Sequence, residues 1–261
     1  MDKARKLSHC GVCREGAALP FAITTAFQPI FDMRNNGVFA YEALVRGENG
    51  EAAGEVLGRV DEKTRYSFDQ LCRVNAIKNA VTAGILETDA KLSINFMPNA
   101  VYSPLACIQL TLKTAREVGF PQDRLIFEFT EHERLDVPHV TTIVEAYRQL
   151  GFATAIDDFG AGFSGLNVLA NLGTDIIKLD MELVRGIDTS EPRRQIVRAM
   201  TRLCTEMGRT VIAEGVETPG ELAAVRSCGI DLVQGFFLAR PAVASLPALD
   251  MGQDNRLRLA S

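Results

Sequence analysis

Eight short runs rich in β-branched and aromatic residues recur along this chain, and amphipathic stretches separate most of them. The runs fall at 26–33 (AFQPIFDM), 38–46 (VFAYEALVR), 91–96 (KLSINF), 124–130 (RLIFEFT), 153–157 (ATAID), 176–180 (IIKLD), 210–215 (TVIAEG) and 231–236 (DLVQGF). Helical periodicity fills the intervals at Phe68–Ala83, Pro104–Val118, Val140–Leu150, Pro192–Met207 and Pro219–Cys228. The last of these opens on Thr218 as N-cap, with Pro219 in the first turn and Glu221 placed to close a capping box. The first two runs are joined through RNNG, a hairpin signal. Strand and helix alternate from the second run onward, which calls for a parallel sheet covered by helices. The expected fold is α/β: a modified TIM-like (β/α)8 barrel with one antiparallel strand near the start.

In such a barrel the C-terminal strand ends converge on one mouth. Read in order, those ends carry Glu42, Asn95, Glu128, the pair Asp157–Asp158, Lys178, Glu214 and Gln234. Any one of them alone is an ordinary helix cap or loop charge. Together they crowd several acids into one place, where mutual repulsion is severe unless cations relieve it. The set is rich in oxygen and holds no His or Cys, so it suits Mg²⁺ or Mn²⁺ better than Zn²⁺. More than four carboxylates suits two such ions, an arrangement used for phosphodiester hydrolysis. The adjacent Asp157 and Asp158 pose a geometric problem. Neighbours on a regular strand face opposite ways, so the strand must break there. Gly160, Gly162 and Gly165 supply conformational freedom for that break.

A chain of 261 residues with 47% hydrophobic and 23% charged content has room for one barrel. The expected division is an arm over 1–20 carrying a CxxC, a catalytic domain over 21–245 and a tail over 246–261. A net charge of -5 without a basic block argues against long nucleic acid as a partner. No apolar run is long enough to span a membrane, and the first residues lack the apolar core of a secretory signal. The six scattered cysteines fit a reducing, cytoplasmic compartment. Cys10 and Cys13 have no second CxxC to complete a zinc site, and His132 and His139 read as surface or cap residues.

The sequence YEALVRG at 41–47 resembles the signature of EAL domains, the bacterial phosphodiesterases of the second messenger cyclic di-GMP. FQPI, SINFMP, FEFTE, IDDFGAGFSGL, IKLD, AEGVET and QGFFLARP follow the same family in the same order, over about residues 24–243. Blocks such as SINFMPNAVY resemble the EAL subtype of blue-light photoreceptor phosphodiesterases; that likeness concerns the catalytic domain alone. The resemblance implies metal-dependent hydrolysis of cyclic di-GMP to linear pGpG with two divalent cations, Mg²⁺ or Mn²⁺. By the same resemblance, Glu42, Asn95, Glu128 and Asp157 hold the first metal, and Asp157 bridges to a second bound also by Asp158. Lys178 holds or deprotonates the attacking water, with Glu214 beside it. Arg46 reaches a phosphate oxygen, Gln28 and Gln234 contact the nucleotide, and Glu131 anchors the loop after Asp158. Glu217 is left open between a cap acid and a supporting partner of the site. A homodimer through the region after Asp158 is implied, and there is room for an unidentified regulatory protein.

Departures from the commoner family pattern stand at Met97, Ala161, Phe163 and Gly165, and the segment 47–67 is short. Some EAL domains only bind the dinucleotide or a protein partner. Those usually lack a ligand or the lysine, and here every position is filled. A glycoside hydrolase using Glu128 and Glu214 is a third reading, opposed by the lack of any Trp and by the Asp–Asp–Lys constellation.

Overall fold

The computed structural model describes residues 19–130, 136–161 and 165–248. Nine strands are present among them: β1 Ile23–Asp32, β2 Gly37–Gly47, β3 Lys91–Asn95, β4 Leu125–Thr130, β5 Ala153–Phe159, β6 Ile176–Leu179, β7 Thr210–Ala213, β8 Leu232–Val233 and β9 Ala242–Val243. The helices are α1 Ala53–Leu57, α2 Arg65–Thr82, α3 Pro104–Cys107, α4 Gln109–Glu117, α5 Val137–Gln149, α6 Gly165–Asn171, α7 Met181–Val184, α8 Glu191–Glu206 and α9 Pro219–Ser227. β2 through β8 pair in parallel and in order, while β1 is antiparallel to both β2 and β8 and closes the barrel. The expected fold holds, with its single antiparallel closing strand.

Local chemistry accounts for the elements. The β1–β2 turn is fastened by Asp32, whose carboxylate accepts from the amides of Arg34 at 2.9 Å and Asn35 at 3.1 Å. Asn36 takes the left-handed conformation at φ 51°, which asparagine tolerates in tight turns. At α9 the capping box is complete: Thr218 accepts from the Glu221 amide at 3.1 Å, and Glu221 accepts from the Thr218 amide at 3.0 Å. The expected helix over 104–118 is instead two, broken at Ile108. The short α1, α6 and α7 and the two-residue β9, which adds to β1, were not expected.

Two apolar layers hold the barrel. The larger lies between strands and helices and includes Phe127, Ile156, Leu179 and Tyr147. The smaller fills the barrel interior: Ile30, Ala40, Ile126, Ala155, Ile176 and Ile212. Side chains two residues apart share a strand face. The interior residue two steps beyond each of these, toward the mouth, is therefore Gln28, Glu42, Glu128, Asp157, Lys178 or Glu214. An apolar floor thus carries a polar layer directly above it. No helix among the described residues is long and apolar enough to cross a membrane.

Candidate active site

Lys178 is fully buried at the centre of that polar layer. Its Nζ lies 3.2 Å from Glu42, 3.0 Å from Glu128, 2.9 Å from Asp157 and 2.7 Å from Glu214. These four acids come from four different strands or strand ends, so only a closed barrel could bring them together. Neutral donors brace the acids from behind. Asn95 donates to Glu42 Oε1 at 3.0 Å and Gln234 donates to Glu42 Oε2 at 2.8 Å. Ser93 Oγ donates to Glu128 Oε1. Ser93 escaped the sequence reading, although it stands two residues before Asn95 and so shares its face.

Asp158 reaches the site by a different route. β5 continues to Phe159, and its pairing with β6 shifts register between Ile156 and Phe159. Asp158 itself adopts φ 53°, followed by Gly160 at φ 103°. The break is therefore made at the aspartate, and glycine only completes it. Gly162 lies outside the described residues and Gly165 opens α6. The left-handed turn brings Asp158 beside Asp157 and Glu214, and one oxygen from each of the three lies within 4.8 Å of the others. A second triplet, Glu42, Glu128 and Asp157, meets the same criterion, so Asp157 belongs to both.

The charge balance is uneven. Five carboxylates face one ammonium, a formal excess of four negative charges (five minus one). Burial raises the Glu128 carboxyl to about 8, and the neighbouring Glu42 and Asp157 add to the rise against the pull of Lys178. Burial and then Asp157 push Glu214 well above the usual carboxylate range. Burial pulls the Lys178 ammonium down, yet Asp157 and the other three acids outweigh it and hold the group firmly charged. Asp157 is buried, and the Lys178 ammonium at 2.9 Å is the partner of its Oδ1. A donor set made of carboxylate oxygens in two triplets that share Asp157 fits hard divalent cations.

Two cavities flank the acids. One of about 430 Å³ runs from Glu42, Asp157 and Asp158 past Asn95 toward Phe68 and Met97. The other, of about 240 Å³, is lined by Gln28, Gln234, Glu214, Asp180 and Phe236. Phe236 is 46% exposed and Arg240 lies 4.5 Å from its ring centre, a stacking surface that the sequence reading missed. Arg46 lines neither cavity; its guanidinium donates to the Val45 carbonyl at 2.7 Å. Glu217 sits on the rim of the smaller cavity and pairs with Arg185 at 3.1 Å, while Glu221 does the capping. His139 contacts the Pro98 carbonyl at 3.2 Å. Glu131, His132, Cys10 and Cys13 lie outside the described residues.

Residues 22–241 match the EAL domain family. The chain belongs to it. A standalone versatile EAL protein of Vibrio cholerae, solved in a c-di-GMP-bound form, superposes with a TM-score of 0.86 at 48% identity, covering 89% of this chain and 98% of that one. BlrP1 of Klebsiella pneumoniae, solved as a calcium/cy-diGMP complex, gives 0.81 at 32% identity, with 89% and 60% covered. Among curated relatives, the blue light- and temperature-regulated antirepressor BluF of Escherichia coli is 28% identical over 86% of this chain. The cyclic di-GMP phosphodiesterase NbdA of Pseudomonas aeruginosa is 26% identical over 82%. The chain spans 55% of the length of BluF and 28% of that of NbdA.

Proposed function

We propose that this EAL domain hydrolyses one phosphodiester bond of cyclic di-GMP to give linear pGpG, with two divalent cations, Mg²⁺ or Mn²⁺, as cofactors. The observation that carries the reading is Lys178 within 3.2 Å of four carboxylates at one barrel mouth. Glu42, Asn95, Glu128 and Asp157 would hold one cation, and Asp157, Asp158 and Glu214 the other. Such cations, when bound, would lower the pKa of a water and offset charge on the phosphoryl oxygens and the leaving 3′-oxygen. The protein's own residues do the rest. The buried Lys178 ammonium fixes the acids around it and presents a positive charge to the attacking water and the phosphate. Asn95, Gln234 and Ser93 lock the carboxylate orientations, as outer partners of metal ligands do. Gln28 and Gln234 line the smaller cavity, and Phe236 offers its ring there as a stacking face for a guanine.

Arg46 would need to leave the Val45 carbonyl to reach a phosphate. Glu131 as anchor of the loop after Asp158 and a homodimer through that region belong to the same proposal. The relative named an antirepressor favours a second reading, in which the domain binds cyclic di-GMP or a protein partner and does not cleave. A single comparison separates the two. Purified protein is incubated with cyclic di-GMP and Mn²⁺, with and without excess chelator, and nucleotides are resolved by chromatography. The enzyme reading expects pGpG that the chelator abolishes. Stoichiometric binding with no product supports the receptor.

A further inference from the structure

The second acid triplet needs Asp158 and Glu214 at a fixed separation, yet Asp158 sits in the register shift near the end of β5 and Glu214 just past the end of β7. Asp158 holds a left-handed backbone at φ 53°, a conformation an L-residue keeps where its surroundings favour it. Each of the two acids is followed closely by a glycine with positive φ: Gly160 at 103° and Gly215 at 67°. One short helix packs onto both glycines. A Cβ on Gly160 would lie 2.5 Å from Leu183 Cδ1, and a Cβ on Gly215 would overlap Met181 Cβ and lie 3.1 Å from Met181 Cα. Both residues belong to α7. Its approach is pinned by the strand ladder, since the Asp180 amide donates to the Phe159 carbonyl and the Glu214 amide to the Leu179 carbonyl, each at 3.1 Å. Asp180 also caps α7 by accepting from the Glu182 amide at 2.7 Å.

We infer that α7 is the positioning element of the second cation: Leu183 on Gly160 and Met181 on Gly215 set the distance between Asp158 and Glu214. This rests on the two-cation reading above. Leu183 lines neither cavity and acts through the backbone of the ligands; Met181 also lines the smaller cavity, so the test is placed on Leu183. In the first triplet Glu42 and Glu128 lie on regular strand, and Asp157 keeps its regular pairing with β4, so only the shared Asp157 adjoins the irregular stretch that α7 contacts. Loss of the α7 contact should therefore be selective, weakening one ion and sparing the other.

The test is a calorimetric titration of the full chain with MnCl₂ alone, with thermal melting recorded in parallel. Wild type is expected to take up two ions, and Asp158→Asn identifies the second of them by its loss. Leu183→Ala should weaken that ion by roughly 10–100-fold, the usual range for residues that orient metal ligands, and leave the first within about twofold of wild type. Leu183→Met, which refills the space over Gly160, should restore it. Two ions in wild type with both retained at full affinity in Leu183→Ala would overturn the role of α7 alone. Equal weakening of both ions, tracking a lower melting temperature, would reduce Leu183 to a structural contact and also overturn it. Fewer than two ions in wild type would overturn the two-cation reading itself.

Discussion

Glu128 and Glu214 show how one side chain can be read in two environments. Without a cation, burial and like charges keep protons on these groups well above the usual carboxylate range, Glu128 to about 8. A cation must displace those protons, so binding and pH are linked. Mn²⁺ affinity should rise as pH rises toward about 8, by up to about tenfold per unit for each proton released, and titrations in buffers of different ionisation enthalpy would count the protons. The stability of the metal-free protein should move the other way. The folded state keeps the Glu128 proton between its ordinary 4.5 and about 8, where the unfolded chain has lost it. That contribution is full below 4.5 and fades as pH rises through 8, so the melting temperature gained from added Mn²⁺ should be larger at pH 8 than at pH 6. At this scale most of the site was legible. Glu42, Glu128, Asp157 and Lys178 each stand two residues beyond an apolar interior position, and period two is the signal a strand writes most plainly. The conformation of Asp158 was not legible, because nothing local distinguishes an aspartate that turns left-handed from one that does not. Nor was the placing of Arg46, whose guanidinium turns back onto the Val45 carbonyl.

Among the elements, the supports of the site were harder to foresee than the site. Arg73 of α2 is fully buried, 2.6 Å from Asp69, with its guanidinium over the rings of Phe96 and Phe127 and donating to Tyr147 Oη at 3.0 Å. Asp69 in turn accepts from the Met97 amide at 2.9 Å, fixing the chain just after Asn95. Helical periodicity marks Asp69 and Arg73 as charged and so as surface; only the packing of α2 on β1, β2 and β3 shows otherwise. Arg73→Ala strands a buried aspartate and should cost about 3–5 kcal/mol in chemical denaturation. The capping box of α9, by contrast, was written in four consecutive residues. Thr218→Ala should cost about 1 kcal/mol by the same measurement, with turnover unchanged, since Thr218 contributes nothing to the acid layer. β9 and α7 escaped notice because elements of two and four residues are too short to show a period.

For the molecule as a whole, closure of the barrel is what turns scattered strand ends into one centre. β1 pairs with both β2 and β8, and so brings Gln28, Glu42 and Gln234 together across the seam. Past Asp158, α6 leaves Leu166 61% exposed on the side where a homodimer is proposed. Sedimentation should show a concentration-dependent dimer that Leu166→Glu converts to monomer while the melting temperature holds. The claim on which the rest depends is that the acids around Lys178 perform chemistry. Its most direct test is the initial rate of pGpG formation at saturating Mn²⁺ for wild type, Glu42→Ala and Lys178→Ala, with folding checked by circular dichroism. Wild type should turn over steadily, and each variant should lose roughly 10²–10⁴-fold in rate. Wild-type rates in both folded variants, or no product from metal-loaded wild type, would contradict it.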